Sequence, residues 1–303
     1  MKLAHKKNEV RHIVSEWRAR NLRVAFVPTM GALHEGHLAL IRQARQHADH
    51  VVVSVFVNPT QFGPGEDYQQ YPRSLSADVE QCRTEGVSLV FAPDYEEMYG
   101  RAGAPQYVSI RISKMHEHLC GATRKGHFEG VLQVVNKLFL IVRPDVAVFG
   151  QKDIQQWFII RQMVEEFDHP MEVLMGPTRR EEDGLAMSSR NVYLTEEERN
   201  KAPLLFEAIQ RLSQRLTGVI RDSNNGDAGI PVDESLIKAE IERLRANGFK
   251  VDYLSLVSTP DLQPACVIHS GRLYVIAAAV WLGKTRLIDN VLLNTRKYPD
   301  HDA

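Results

Sequence analysis

The chain has 303 residues, 44% hydrophobic and 25% charged, with 37 Lys and Arg against 38 Asp and Glu for a net charge of -1. At roughly 150 residues per domain this length suggests two domains or one large one, and the apolar content excludes an acidic disordered chain. The charge balance argues against nucleic acid as a partner, since that binding needs a standing basic surplus.

Residues 24–27 are apolar and run into a turn containing Pro and Gly. A helix is predicted over 34–48, with Leu38, Ile41, Ala44 and Ala48 on one face. The run VVVSVFV (51–57) is continuous rather than alternating, as in a strand covered on both faces. A second cycle places a helix over 77–85, its stop at Gly86 and a strand over 87–91. A third has a helix over 128–142 closed by Pro144, then a strand over 146–149. A fourth has a helix over 154–167 and a strand over 171–174. Such alternation predicts an α/β fold, a doubly wound parallel (Rossmann-like) sheet domain over residues 1–178.

Residues 179–303 read as a smaller α+β domain. It comprises a helix over 195–216, capped by Thr195 with Glu198 at the capping-box position, and a polar loop over 218–231. An amphipathic helix over 235–246 stops at Asn247 and Gly248, and two strands, 251–257 and 273–279, close the chain. The apolar stretch 273–283 is about half of the roughly 20 residues a membrane span requires, so no membrane partner is expected. Cys82, Cys120 and Cys266 form no CxxC pair, which disfavours a zinc ribbon or a redox dithiol and suggests reduced thiols in a cytoplasmic protein. The opening MKLAHKKNEVRHIV is basic without an apolar core and does not read as a signal peptide.

Ligands of open parallel sheets bind beyond the carboxyl ends of the strands. Four post-strand segments here are rich in polar groups: PTMGALHEGH (28–37), NPTQFG (58–63), GQKDIQQ (150–156) and TRREEDGLAMSSRN (178–191). His34 and His37 share a face at a predicted helix start, where unpaired N–H groups and the helix dipole suit a phosphate. Taken alone, HEGH also fits a capping histidine and a packing glycine; its spacing excludes the zinc-protease motif. Lys152 falls in the first turn of a helix, where the dipole disfavours a cation unless an anion is bound. Ser188, Ser189 and Arg190 place two hydroxyls beside a guanidinium, a donor set suited to phosphate oxygens. No GxSxG, GxxxxGK[ST] or GxGxxG occurs, which disfavours a serine hydrolase, a P-loop and a dinucleotide site.

HxGH in a first helical turn, with a serine-containing loop near the last strand, resembles the nucleotidyltransferase superfamily related to class I aminoacyl-tRNA synthetases. Seven ordered blocks narrow the match: PTMGALHEGH, VFVNPTQFG, YPR (71–73), HFEGV (127–131), FGQKDIQQ, DGLAMSSRN and TRLIDN (285–290) resemble the pantothenate synthetase family over nearly the whole chain. The resemblance implies ATP-dependent ligation of pantoate to β-alanine through a pantoyl adenylate, releasing AMP and pyrophosphate. It further implies ATP and Mg²⁺ as required small molecules, a homodimer, and a C-terminal domain acting as a lid.

Carried over residue by residue, the resemblance implies that Met30, Gly31, Ala32, Leu33, His34, Glu35, Gly36 and His37 line the ATP phosphates. His34 and His37 would stabilise the transferring group. Gly150, Gln151, Lys152 and Asp153 would contact ribose and phosphates, and Met187, Ser188, Ser189 and Arg190 would close over the nucleotide, with Arg179 near adenine. Gln61 and Gln156, with Asn58 nearby, would bind pantoate, and Gln61 would also serve β-alanine. Asp78 is expected near Mg²⁺ and Arg124 near the triphosphate. Arg179, Gln133 and the long loop 218–231 depart from the family pattern. Two competing classes remain open on the residues alone. A superfamily enzyme acting on a phosphorylated small molecule has no need of both Gln61 and Gln156, and a non-catalytic nucleotide-binding regulator would be free to lose His37 or Lys152.

Overall fold

A computed structural model describes residues 1–101, 107–222 and 229–295. They fall into two units. The first comprises Met1–Ser113, Arg124–Arg179 and Met187–Ser189; the second comprises Lys114–Thr123, Arg180–Ala186 and the chain from Arg190 onward. The polypeptide therefore passes between the units several times rather than at one boundary.

The first unit contains β1 (Lys2–Ala4), α1 (Lys7–Arg18), β2 (Val24–Thr29), α2 (Glu35–His47), β3 (His50–Val55), α3 (Leu75–Thr84), β4 (Leu89–Phe91) and α4 (Tyr95–Tyr99). After a short helix α5 (Cys120–Thr123) in the second unit, it resumes with α6 (His127–Val142), β5 (Val146–Gly150), α7 (Ile154–Glu166) and β6 (Glu172–Gly176). Six strands pair in parallel in the order β1-β4-β3-β2-β5-β6. Alternate residues explain the unbroken apolar runs. Ala25, Val27, Val51, Val53, Val146 and Val148 face a core shared with Leu40, Ile41 and Ala44 of α2 and Cys82 of α3. Phe26 and Phe149 meet Phe139 of α6 edge-on. Helices cover both faces, so both sets of side chains are apolar.

All six strands point the same way, so their carboxyl ends lie on one edge of the sheet. From β2 the chain moves outward through β3 to β4, then returns to place β5 on the other side of β2. The order reverses between β2 and β5, the switch point at which such sheets open a crevice.

The second unit holds α8 (Glu196–Lys201), α9 (Leu204–Asp222), β7 (Ile230–Pro231), α10 (Glu234–Ala246), β8 (Lys250–Ser258), β9 (Val267–Ile268), β10 (Leu273–Leu282) and β11 (Thr285–Asn294). Antiparallel β11-β10-β8 form its larger sheet. Leu205, Ile209, Leu212 and Leu216 of α9 share a core with Tyr274, Ile276, Ala278 and Val280 of β10.

Several elements differ from the sequence expectation. The predicted helix 195–216 is two helices, broken at Pro203, which cannot donate the backbone bond a continuous helix needs. Residues 218–222, expected in a loop, extend α9, because Ile220 continues its apolar stripe against the core. Residues 230 and 231 of that expected loop form β7, and 223–228 lie outside the described residues. The β1–α1 opening and strand β11 go beyond the predicted elements. The apolar stretch 273–283 is mostly strand β10, and no helix among the described residues is long and apolar enough to cross a membrane.

Candidate active site

His34 caps α2 from an extended conformation, and its Nδ1 accepts the backbone N–H of Gly36 at 3.1 Å. His37, one turn on, accepts the N–H of His34 through its own Nδ1 at 3.3 Å. A backbone N–H can only donate, so both imidazoles carry their proton on Nε2. The ring centroids are 4.1 Å apart. Burial, with the positive charge of Lys152 adding to it, lowers His34 to about 4. Burial, then His34 and Lys152, lowers His37 to about 3. At neutral pH the pair is uncharged and offers two Nε2–H donors. Gly36 is what lets the His34 ring fold back: a Cβ there would lie 2.8 Å from ring atom Cε1.

The loop leading into α2 is held from beneath by Asp78 of α3, which is 2% exposed. Its Oδ2 accepts the N–H of Ala32 at 3.1 Å and its Oδ1 that of Leu33 at 2.8 Å. Gly31 and Ala32 both adopt positive φ in this turn. Burial lifts the Asp78 carboxyl above its ordinary value, and the two N–H donors partly offset this. Both oxygens thus serve the loop, and the expectation of a Mg²⁺ contact at Asp78 gains no support from this geometry. Among the described residues no group of three or more His, Cys, Asp or Glu side chains is arranged to hold a metal. Glu35, expected along the phosphates, turns its carboxylate to Arg42 on the same helix.

Lys152 lies in the 3-10 turn Gln151–Asp153 that follows β5, across the switch point from the two histidines. Its Nζ is 3.8 Å from Asp153 Oδ2, a loose contact. Gly150 ends β5. Gln155 and Gln156 follow in the first turn of α7, Gln155 buried and Gln156 half-buried.

After β3 the chain forms a second 3-10 turn, Pro59–Gln61. Gln61 is buried, and its side-chain amide lies between two partners: Nε2 reaches Met30 Sδ at 3.2 Å, and Oε1 accepts from Asn58 Nδ2 at 3.1 Å. Asn58 is 1% exposed and fully engaged within the protein. It also donates to Gly130 O at 3.1 Å and accepts from Tyr99 Oη at 2.8 Å and Thr60 Oγ1 at 3.0 Å. Asn58 consequently orients Gln61 rather than facing a ligand. The turn rests on α6: a Cβ on Gly130 would come within 2.3 Å of the Thr60 carbonyl. His127 Nδ1 donates to Gln61 O at 2.7 Å, and its Nε2 accepts from Arg124 at 2.8 Å. Arg124, expected at the triphosphate, also grips Glu66 through two bonds of 2.8 and 2.6 Å. Burial, with Arg124 adding to it, lowers His127 to about 4.

Gly130, His127 and Tyr99 are the supports that residue-by-residue reasoning missed. A glycine in the middle of a strongly apolar helix was the available signal for the first. Of the serine loop, Met187–Ser189 belong to the first unit and Arg190 to the second. Ser189 Oγ donates to Ala32 O at 3.2 Å, and Met187 N–H to Arg179 O at 2.9 Å. The Arg179 side chain is exposed.

One edge of the sheet thus assembles a neutral histidine pair at a helix start, a lysine across the switch point and a braced glutamine, and the serine loop joins the histidine turn through Ser189. The family model of pantoate–β-alanine ligases matches residues 2–292. The chain belongs to the pantoate–β-alanine ligase family.

The ligase is 48% identical over 288 residues to the pantothenate synthetase of Stutzerimonas stutzeri (strain A1501), covering 95% of this chain and 96% of the relative. It is 46% identical over 297 residues to that of Alkalilimnicola ehrlichii, covering 98% and 99%. Among solved structures, pantothenate synthetase from Thermus thermophilus superposes with a TM-score of 0.85 at 41% identity, covering 97% of this chain and all of that one. A pantoate–β-alanine ligase from Francisella tularensis, complexed with βγ-ATP and β-alanine, gives 0.74 at 31% identity, covering 96% and 97%. Like the rest of its family, this ligase is an ATP-dependent enzyme joining pantoate and β-alanine.

Proposed function

We propose that ligation proceeds in two steps at the β2–β5 switch point. A pantoate carboxylate oxygen attacks the α-phosphorus of ATP and expels pyrophosphate, leaving a pantoyl adenylate. The β-alanine amine, having lost its proton, then attacks the acyl carbon, and the C–O bond to AMP breaks. Neither step requires a covalent bond to the protein, so the chain contributes positioning and charge stabilisation.

The observation that carries this assignment is the pair of Nε2–H donors from neutral His34 and His37 beside Lys152. Neutral imidazoles with the proton on Nε2 still donate a hydrogen bond to a developing phosphoryl charge. Lys152 supplies the positive charge, placed on the α- and β-phosphates. The turn formed by Met30, Gly31, Ala32, Leu33, Glu35 and Gly36 lines the phosphates, with Gly150, Gln151 and Asp153 contacting ribose and phosphates. Met187, Ser188, Ser189 and Arg190 close over the nucleotide, Arg179 lies toward adenine, and Gln61 and Gln156 hold pantoate, Gln61 also meeting β-alanine. Magnesium enters with ATP as its phosphate-bound counterion, as part of the substrate. The second unit serves as a lid that keeps water from the adenylate, and the enzyme works as a cytoplasmic homodimer.

The test uses pantoate labelled with ¹⁸O in its carboxylate, incubated with ATP, Mg²⁺ and β-alanine. Adenylate chemistry transfers one ¹⁸O to AMP; unlabelled AMP, or ADP as the product, overturns it. His37→Ala and Lys152→Ala should each lower kcat by at least about 100-fold, the scale of a lost transition-state donor. Wild-type rates would remove the residue from the mechanism. Sedimentation equilibrium tests the dimer.

A further inference from the structure

The TRLIDN block lies on β11, in the second unit, and the chemistry above leaves it without a role. Its Asp289 is 3% exposed. Each carboxylate oxygen takes one prong of Arg180: Nη1 to Oδ2 at 2.6 Å and Nη2 to Oδ1 at 2.9 Å. Oδ1 also accepts the backbone N–H of Asn290 at 2.7 Å. The Arg180 guanidinium lies 3.4 Å over the Phe206 ring of α9 and donates to Gly184 O at 3.1 Å. A planar fork clamped on one side by a carboxylate and on one face by a ring has little freedom to turn.

Arg180 opens a small hairpin. It pairs with Ala186, Glu181 N–H donates to Leu185 O at 2.8 Å, and Gly184 N–H donates to Glu181 O at 2.9 Å. Asp183 at the tip is paired with Arg199 of α8, and Ala186 O accepts from Asn191 Nδ2 at 3.1 Å. The next three residues, Met187–Ser189, are those assigned to the nucleotide, and they follow Ala186 without a spacer. A buried ion pair is a weak source of net stability compared with apolar packing, and in some proteins its role is to fix conformation instead.

We infer that Asp289 is a positioning residue: by gripping Arg180 it fixes the hairpin Arg180–Ala186, and through it the course of Met187–Ser189 at the nucleotide. The inference rests on the proposal that Ser188 and Ser189 contact ATP. Asp289 touches no substrate; its effect passes through Arg180 and the chain.

The experiment compares Asp289→Asn, Arg180→Lys and Arg180→Lys/Asp289→Asn with Ser188→Ala and Ser189→Ala. KM for ATP and kcat are measured alongside thermal melting and pantoate binding by calorimetry without ATP. Loss of the grip should raise KM for ATP by about tenfold to a hundredfold, the effect of a small displacement of a binding group. Pantoate affinity should stay within twofold, and the double variant should be no worse than the poorer single one. Asp252→Asn, which breaks the Arg286–Asp252 pair of the same unit, is the control and should lower the melting temperature without moving KM for ATP. If Asp289→Asn does not fold, Arg180→Lys carries the comparison. Melting lowered with KM for ATP unchanged in the Asp289 and Arg180 variants, while the serine variants do move it, overturns the positioning role. Serine variants with unchanged ATP kinetics overturn the nucleotide assignment instead.

Discussion

His34 fixes the proton of His37: the backbone N–H of His34 occupies Nδ1 of His37 at 3.3 Å, while the Gly36 N–H occupies Nδ1 of His34 at 3.1 Å. The HxGH spacing thereby does two things. It caps α2, and it turns two imidazoles into Nε2–H donors of known orientation.

The first prediction concerns pH. With His34 lowered to about 4 and His37 to about 3, neither ring titrates between pH 6 and 8. The kcat/KM profile for ATP should show no acid limb near 6.5 that His37→Gln removes. Nitrogen-15 spectra of the imidazoles should keep both protons on Nε2 down to about pH 5, and a midpoint near 6.5 at either ring would refute the tautomer assignment. The linked stability has a definite sign. His34, His37 and His127 all have folded values below the 6.5 of an unfolded chain, so the unfolded state takes up protons first. Their contribution is complete above pH 6.5 and is lost as pH falls through about 4 and about 3, which denaturant melts across that range will register.

A second prediction follows from Gly36. An alanine there would set its Cβ 2.8 Å from the His34 ring, which can swing away because it is the end of a side chain. Gly36→Ala should therefore fold with nearly unchanged melting yet lose about 100-fold or more in kcat, like a missing transition-state donor. A variant that melts early and retains its kcat would show that Gly36 serves packing alone.

Local periodicity made most of this architecture legible. Leu38, Ile41 and Ala44 mark α2, and the continuous run at 51–55 marks a strand covered on both faces. The polar loops at the carboxyl ends followed from strand polarity. What stayed hidden depends on partners distant in sequence. Asp289 puts a charge on the buried side of β11 and breaks its alternation, and its explanation is Arg180, more than a hundred positions earlier. Asn58 is a plausible ligand by residue type, but Tyr99 and Gly130 consume its hydrogen bonds. At α9, composition misled: Gly218 and the polar residues after it suggest a loop, whereas one apolar contact by Ile220 sustains the helix.

Asp78 gives the third prediction. Asp78→Asn keeps one carbonyl acceptor but turns an NH₂ toward a backbone N–H, leaving Ala32 or Leu33 without its partner. A buried donor left unsatisfied costs about 1–3 kcal/mol, and the variant should melt correspondingly lower. The displaced loop should raise KM for ATP. The Mg²⁺ concentration giving half-maximal rate at saturating ATP should stay unchanged, since both Asp78 oxygens serve the loop. A marked rise in the Mg²⁺ requirement alone would make Asp78 a metal ligand after all.

The last prediction sets two opposing effects at Gly130 against each other. Alanine is better than glycine inside a helix by about 1 kcal/mol, so on propensity alone Gly130→Ala would stabilise α6. The added methyl, however, would stand 2.3 Å from the Thr60 carbonyl and 2.8 Å from the Gln61 amide nitrogen. Those are backbone atoms of the turn beside α6, and they cannot rotate away as the His34 ring can. Overpacking of this kind costs about 1–3 kcal/mol, so the balance falls on the destabilising side. The displacement should also carry Gln61 away from Met30 and strain its carbonyl bond to His127. Gly130→Ala is therefore expected to melt lower than wild type and to weaken pantoate binding in calorimetry, with ATP binding less affected because Asp78 and the α2 loop lie outside the shifted turn. Unchanged melting and unchanged pantoate affinity would mean that the turn can yield without cost, and that its close seat on α6 does not set the position of Gln61.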